Sequence, residues 1–321
     1  DIMKIQNPHD RFFKETLGKV EVAKDFLNNY LPGNIIKVID VDTLEPQKDS
    51  FINKELQEGF SDLLFKANIN NREGYIYFLF EHKSYTRKDI AFQLLRYMME
   101  IWETKSKKEK ADELPVIIPL VVYHGKDRWK IGTTLGEMIV GYKDLPEDIK
   151  KFTPNYEYLL YDLSQFTDDE IKGEAQLRIL FTTLRDIFTK DSKSLQDSVF
   201  RAVSYLRELD DKKTGIEYFE TLMRYIFNAR ADLTRADFNE VVKKIETTYP
   251  EGSEVVMTLA EIFREEGKEE GILKGMEVGA KQGKIEVAKN AIREGMELGL
   301  IEKLTGLPKK EIGKIAKEIE N

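Results

Sequence analysis

The stretch that decides the fold is SDLLFKANINNREGYIYFLFEHKS, residues 61–84. Two apolar runs flank residues 70–74, which contain two asparagines and a glycine, and this pattern predicts two antiparallel strands joined by a hairpin. The second run, residues 75–80, has no natural place at a solvent edge, yet Glu81 and Lys83 follow it directly. Charges at the tip of an apolar strand indicate either a solvated strand end or a functional site.

The elements around this hairpin follow from apolar spacing and turn residues. They are a helix over residues 8–30, a helix over 90–102, strands over 116–123 and 156–161, and helices over 167–188, 194–209, 214–230 and 234–249. A capping box of Thr167 and Glu170 begins the helical half. The order predicts an α/β core with a sheet flanked by helices, followed by an all-helical region. We place three domains at residues 1–165, 166–252 and 253–321.

Composition limits what this protein does. The chain has 321 residues, of which 41% are hydrophobic, so it can bury a sizeable core. It contains no cysteine, which excludes disulfides and thiolate metal sites and suits a reducing compartment. Its longest apolar stretch, residues 114–123, is too short to span a bilayer and contains two prolines. Without a secretion signal at the N-terminus, these features predict a cytoplasmic protein with no membrane partner.

Charge argues against a global attraction to polyanions. The net charge is −8, from 50 basic and 58 acidic side chains. Any contact with nucleic acid must therefore be local. The excess of carboxylates fits either a well-solvated surface or the partial neutralisation of some carboxylates by a divalent cation.

Three charged side chains are expected to meet at the end of the hairpin. Glu81 and Lys83 are two residues apart, so they share one face of their strand. Asp62 lies nineteen residues before Glu81, and pairing around the turn brings it toward them. Two carboxylates with open positions suit Mg²⁺, and a neighbouring lysine can orient water or stabilise charge on a phosphate. The pattern predicts metal-assisted phosphodiester hydrolysis.

Two further polar residues are weighed as site members. Gln93 lies on the core-facing stripe of the helix over residues 90–102, where an amide needs a partner. It either reaches into the cluster of Asp62, Glu81 and Lys83 or lies at the helix edge with a hydrogen bond to the backbone. Glu15, on the first helix, is either a fourth site residue or simply exposed.

These residues carry a family resemblance. An acid at Asp62, the Glu81-x-Lys83 pair and a following helix with Gln93 resemble the PD-(D/E)xK nuclease superfamily. The flanking motifs are similar to those of the Rpn (recombination-promoting nuclease) or YhgA-like transposase family, and so is the glycine-stepped tail. Those motifs are HDRFFK at residues 9–14, SDLLF at 61–65, FEHKS at 80–84 and PLVVYHG at 119–125.

The resemblance implies a restriction-endonuclease-like core with a central mixed sheet, and a bacterial DNA endonuclease that uses Mg²⁺, with Mn²⁺ or Ca²⁺ as substitutes. It implies Asp62 and Glu81 as metal ligands and Lys83 as the catalytic lysine, with Gln93 beside them. The superfamily often has proline before the first acid, whereas Ser61 stands here. A different class stays open: a catalytically silent nuclease-like scaffold that binds DNA or protein.

The tail has a period that is not hydrophobic. Glycines recur at every fourth residue from Gly267 to Gly283. Each glycine inside a helix costs about 1 kcal/mol relative to alanine, which close approach of another helix can offset. This spacing predicts a homodimer through the glycine-stepped helix, or else a weakly helical mobile tail. Residues 288–312 then read as short helices with a glycine turn, which is either a helix-turn-helix or a packing hairpin.

Overall fold

The structure is a computed structural model. It describes residues 7–47, 61–82, 88–109, 112–188, 190–230, 232–250 and 275–320. The chain forms two compact units, with the boundary near residue 255. Across the described part of the chain, no helix is both long and apolar enough to cross a membrane.

A five-stranded mixed sheet forms the centre of the first unit. Its strands are β1 (Ile39–Pro46), β2 (Ser61–Ile69), β3 (Arg72–Glu81), β4 (Val116–Tyr123) and β5 (Leu159–Asp162), and they lie in that order across the sheet. The pairs β1·β2 and β2·β3 are antiparallel, whereas β3·β4 and β4·β5 are parallel. The predicted α/β class, with a mixed sheet between helices and a helical C-terminal region, is confirmed.

Strand β1 has no counterpart in the sequence-based prediction. Its sequence, IDVDTLEP, is largely polar, and only Ile39 and Leu44 are buried. The strand forms because Ile39 pairs with Ile69 of β2 at one edge of the sheet, and the register then shifts before Glu45 pairs with Lys66. An edge strand with one half-buried face lacks a strong apolar signal, so its pairing partner decides its conformation.

The predicted single helix over residues 8–30 is wrong, because two helices occupy this range. They are α1 (Pro8–Leu17) and α2 (Val20–Tyr30), followed by a short α3 (Gly33–Ile36). Gly18 caps α1, and Lys19, with φ −75° and ψ 129°, is extended. A side chain at Gly18 would lie 2.3 Å from the Lys14 carbonyl oxygen, so only glycine tolerates this tight break. The break lets each helix direct its own apolar face to the core.

Side-chain alternation along β3 divides the core into two layers. Phe78 and Phe80 face α1 and α2, where Phe80 stacks on Phe13 with ring centroids 4.2 Å apart. Tyr75, Tyr77 and Leu79 face the other way, into a core shared with helix α4 (Ile90–Glu109). This second face also carries Glu81, because residues two apart on a strand point to the same side.

The first unit continues with helices after the sheet. They are a short α5 (Glu147–Lys150) before β5, then α6 (Ala175–Asp186), α7 (Ser192–Leu206), α8 (Lys212–Ala229) and α9 (Arg235–Thr248). The capping box of Thr167 and Glu170 is present, but the predicted helix over 167–188 is wrong at its start. The box caps one 3₁₀ turn, and Gly173, with φ 110°, breaks the path before α6. Helix α8 packs on α1, where Tyr225 stacks on Phe12.

The second unit is a small helical cluster. Residues 275–293 form α10, followed by α11 (Leu298–Thr305) and α12 (Lys309–Glu320). The turn between the last two helices is at Gly306, with φ 68°, as the glycine turn in the sequence predicts. The unit has its own apolar core, made of Ala288, Ala291, Ile301, Leu307, Ile312 and Ile315. Gly267 and Gly271 of the glycine-stepped segment lie outside the described residues.

Candidate active site

Asp62 and Glu81 meet on one face at one edge of the sheet. Asp62 of β2 lies directly opposite Leu79 of β3, and Glu81 follows two residues later on the same face. Regular sheet geometry puts such diagonal neighbours about 7 to 8 Å apart at Cα. At this separation two carboxylate side chains can both reach one point between them. The hairpin register therefore brings these two predicted site residues together.

The environment of Asp62 combines burial with one hydrogen bond and the positive charge of a lysine. The Tyr77 hydroxyl donates to Asp62 Oδ2 at 3.2 Å. Burial raises the pKa of the Asp62 carboxyl, while the Lys14 ammonium of α1 and the Tyr77 hydroxyl act in the opposite direction. Lys14 lies 48 residues earlier in the chain, and no local pattern predicts its place near Asp62.

Glu81 is almost completely enclosed, with 2% of its surface exposed. Its carbonyl oxygen accepts a hydrogen bond from the His124 N–H at 2.9 Å, and its residue partner on β4 is Tyr123. Burial raises the pKa of Tyr123, with further contributions from Asp162, Asp127 and Glu81. The ends of β3, β4 and β5 and the start of β2 therefore collect acidic side chains at one sheet edge, the usual place of a site in an open α/β sheet.

The donor set fits a hard divalent cation. Mg²⁺ is commonly held by one or two carboxylates, with water and substrate oxygens as its other ligands. Asp62 and Glu81 supply that number on one face. Within the ranges that the structure describes, no group of three or more His, Asp or Glu side chains is placed to hold a metal. A cation at this edge would accordingly leave most of its positions to water and substrate.

The other predicted site residues have different positions. Lys83 lies outside the described residues. Gln93 is buried on α4, with 8% exposure, and its amide donates to Asp89 Oδ2 at 3.0 Å. Glu15 is exposed and pairs with Arg11, with 2.7 Å between the charged atoms. The exposure of Glu15 agrees with the second of its two interpretations, and the place of Gln93 in the chemistry stays a prediction.

The structure also brings together all three histidines of the chain, which the sequence analysis did not connect. His82, which follows Glu81, lies 2.7 Å from the Asn7 amide and 3.2 Å from Asp10 Oδ1. His9 lies 3.3 Å from His124 and 2.8 Å from the Tyr225 hydroxyl. We call His9, His82 and His124 the histidine cluster. It lies on the sheet face opposite Glu81, against α1 and α8.

Burial keeps part of the histidine cluster uncharged. It lowers the pKa of His9 to about 4, with a smaller contribution from His82 that Asp10 partly opposes. Burial, then His9 and His82, lowers the pKa of His124 well below its usual value. The ring of His124 packs between Phe80 and Phe188. The backbone N–H of His124 also donates to the Glu81 carbonyl oxygen. The histidine cluster therefore packs against the end of β3 on the face opposite the Glu81 side chain.

The mixed α/β sheet and the two carboxylates on one of its faces fit the nuclease-like class that the sequence predicts. The model of the family described as "Putative transposase, YhgA-like" matches residues 7–215. The match covers more than half of the chain and includes the whole sheet, so the chain belongs to this family. The predicted family is thereby confirmed.

Curated relatives extend the likeness over nearly the whole chain. The recombination-promoting nuclease RpnA of Escherichia coli (strain K12) is 29% identical over 307 residues, which cover 95% of this chain and 96% of that protein. The inactive recombination-promoting nuclease-like protein RpnE of the same strain is also 29% identical, with the same coverage of both chains. RpnD of Escherichia coli O157:H7, a recombination-promoting nuclease, is 29% identical over 79% of this chain and 93% of its own. No solved structure matches the chain.

Proposed function

We propose that this protein is a divalent-metal-dependent DNA endonuclease that hydrolyses phosphodiester bonds. The observation that carries the proposal is the register of β2 and β3, which puts Asp62 and Glu81 on one face at the sheet edge. The names of RpnA and RpnD support a nuclease activity and a role in recombination. The absence of cysteine from the sequence suits a reducing compartment such as the cytoplasm.

Each residue of the site has a distinct role in this proposal. Asp62 and Glu81 hold Mg²⁺, which when bound supplies Lewis acidity toward the phosphate and lowers the pKa of water. Lys83 orients the attacking water or stabilises charge at the scissile phosphate. Gln93 lies on α4, which packs on the sheet face that carries Glu81, and orients groups at the site from there.

Incubation of the purified protein with supercoiled plasmid tests the proposal. We expect nicking or linearisation with Mg²⁺ or Mn²⁺ and none with chelator, because one cation held by two carboxylates supplies the Lewis acid. Gel electrophoresis measures both products. If the folded protein cuts neither duplex nor single-stranded DNA with any cation, the proposal of an endonuclease is wrong.

The second candidate is a nuclease-like scaffold without activity, and the name of RpnE favours it. RpnE is as similar to this chain as RpnA is, so overall identity does not separate the two candidates. A silent scaffold would still bind DNA or protein but would show no metal-dependent cleavage in the plasmid assay.

We also propose a homodimer formed through the glycine-stepped helix. Helix α10 carries Gly275, Gly279 and Gly283, and apart from the adjoining backbone of the helix itself no described atom lies within 4 Å of the position that a Cβ would take on any of them. This open stripe allows a second helix to approach closely. A protein that ends at Arg264 is expected to be a monomer in light scattering, whereas the full chain is a dimer. The same number of chains per particle in both proteins would show that the tail takes no part in assembly.

A further inference from the structure

Four exposed cationic side chains lie on the segments that follow β3 and β4 in the chain. Lys126, Arg128 and Lys130 are exposed in the loop after β4, and Lys88 is exposed just before α4. None of the four forms an ion pair with a carboxylate of the residues described here. Some exposed cations elsewhere are paired, as Lys107 is with Glu103 and Lys151 with Asp148, whereas others, such as Lys37 and Lys143, have no ion pair with a described residue either. We call Lys88, Lys126, Arg128 and Lys130 the cationic rim.

Trp129 anchors the loop that carries Arg128 and Lys130 at the ends of β4 and β5. Its ring is buried and lies 5.0 Å from the ring of Tyr123, the residue that pairs with Glu81. Its backbone N–H donates to Asp162 Oδ2 at 2.8 Å, at the end of β5. Because Trp129 points inward, its neighbours Arg128 and Lys130 are directed to solvent at the same edge.

A surface groove joins two members of the rim. Lys88 and Lys130 both line a groove of about 400 Å³ between the start of α4 and residues 130–138. Glu137 is the acidic residue of this lining, and its carboxylate lies 3.5 Å from the backbone N–H of Thr134. The groove therefore carries two unpaired ammonium groups and one carboxylate that is directed to the backbone.

We propose that the cationic rim binds the phosphates of a duplex DNA substrate and guides the strand to the carboxylate pair. The proposal rests on the proposed nuclease function and names the protein groups that hold the substrate. With a net charge of −8, the chain needs a local cluster of free cations to bind a polyanion. Ammonium and guanidinium groups bind phosphates independently of sequence, so the rim contributes affinity and register but no base readout.

The test measures DNA binding apart from cleavage. Binding of a fluorescein-labelled 20-base-pair duplex to the Asp62→Asn protein is followed by fluorescence anisotropy, with chelator present, from 50 to 300 mM salt. The double change Lys88→Gln and Lys130→Gln is then added, and Lys107→Gln with Lys151→Gln serves as a matched control of two paired surface lysines. Thermal melting checks that all proteins fold.

Loss of two phosphate contacts is expected to weaken binding about tenfold near 100 mM salt and to flatten the slope of log K against log salt by roughly 2. The control pair should match the Asp62→Asn parent. Equal affinity and slope in the rim variant and its parent would contradict the proposal that the rim binds DNA, even if the wild-type protein cuts DNA. A parent that binds no duplex in any salt would overturn it too. If binding depends on the rim but the wild-type protein cuts no DNA, the rim is a DNA-binding surface and the proposed nuclease activity is wrong.

Discussion

Replacing Asp62 by asparagine or Glu81 by glutamine is expected to abolish plasmid cleavage and calorimetrically detectable binding of Mg²⁺ or Mn²⁺. A hard cation is held weakly when only one carboxylate of the pair is left. Both replacements keep the size of the side chain, and asparagine can still accept the hydrogen bond from Tyr77. Glu45→Gln is a matched control, because Glu45 is an exposed carboxylate on β1 of the same sheet.

Stability separates this effect from misfolding. Burial raises the pKa of Asp62, so the native state holds the charged carboxylate less well than the unfolded chain does. A neutral asparagine should therefore leave the melting temperature unchanged or slightly higher. An Asp62→Asn protein that melts normally and still binds Mg²⁺ as the parent does would contradict the assignment of Asp62 as a ligand.

In the same assays, Lys83→Ala should reduce cleavage without reducing metal binding. In the proposed role the Lys83 ammonium acts mainly in the transition state, so its loss is expected to lower the cleavage rate by ~10² or more while metal binding is retained. If the lysine shares the site with Asp62 and Glu81, removing its positive charge should tighten the binding of the cation. A Lys83→Ala protein that cuts at the parental rate would show that Lys83 only pairs with Glu81 at the strand end.

Acidification is expected to destabilise the fold through the histidine cluster. His9 has its pKa lowered from 6.5 to about 4, so between these values the unfolded chain binds a proton that the native state does not. Stability from this group is therefore complete above about pH 6.5 and falls as the pH decreases toward 4. At ~1.36 kcal/mol per pKa unit, the loss by pH 4 is up to roughly 3 kcal/mol. His124, whose pKa is also lowered, acts in the same direction.

Comparison with His9→Gln isolates the contribution of His9. Glutamine keeps a polar partner for the Tyr225 hydroxyl but binds no proton in this range. Urea unfolding at pH 7 and pH 4 should show a smaller loss of unfolding free energy for the variant, by up to roughly 3 kcal/mol, because general acid effects cancel in the difference. Equal losses in both proteins would mean that His9 is not held neutral in the native state.

Local features of the sequence determine the hairpin and its acidic pair. Strand alternation and a turn within residues 70–74, which the structure places at Asn70 and Asn71, suffice to predict that Asp62 and Glu81 share a face, because the two-residue period and the hairpin register are local properties. Helix α4 and strand β4 are also predicted, because helical spacing and apolar runs are local properties too. The ends of α7, α8 and α9 also lie within three residues of their predicted positions.

Only the tertiary structure decides the remaining features. Strand β1 depends on pairing with β2, and the break at Gly18 depends on how α1 and α2 each pack on the sheet. The histidine cluster joins residues 9, 82 and 124 with Tyr225, and the groove joins Lys88 with Lys130. These partners are far apart in the chain, and their proximity comes from burial of apolar faces on both sides of the sheet, which no local pattern encodes.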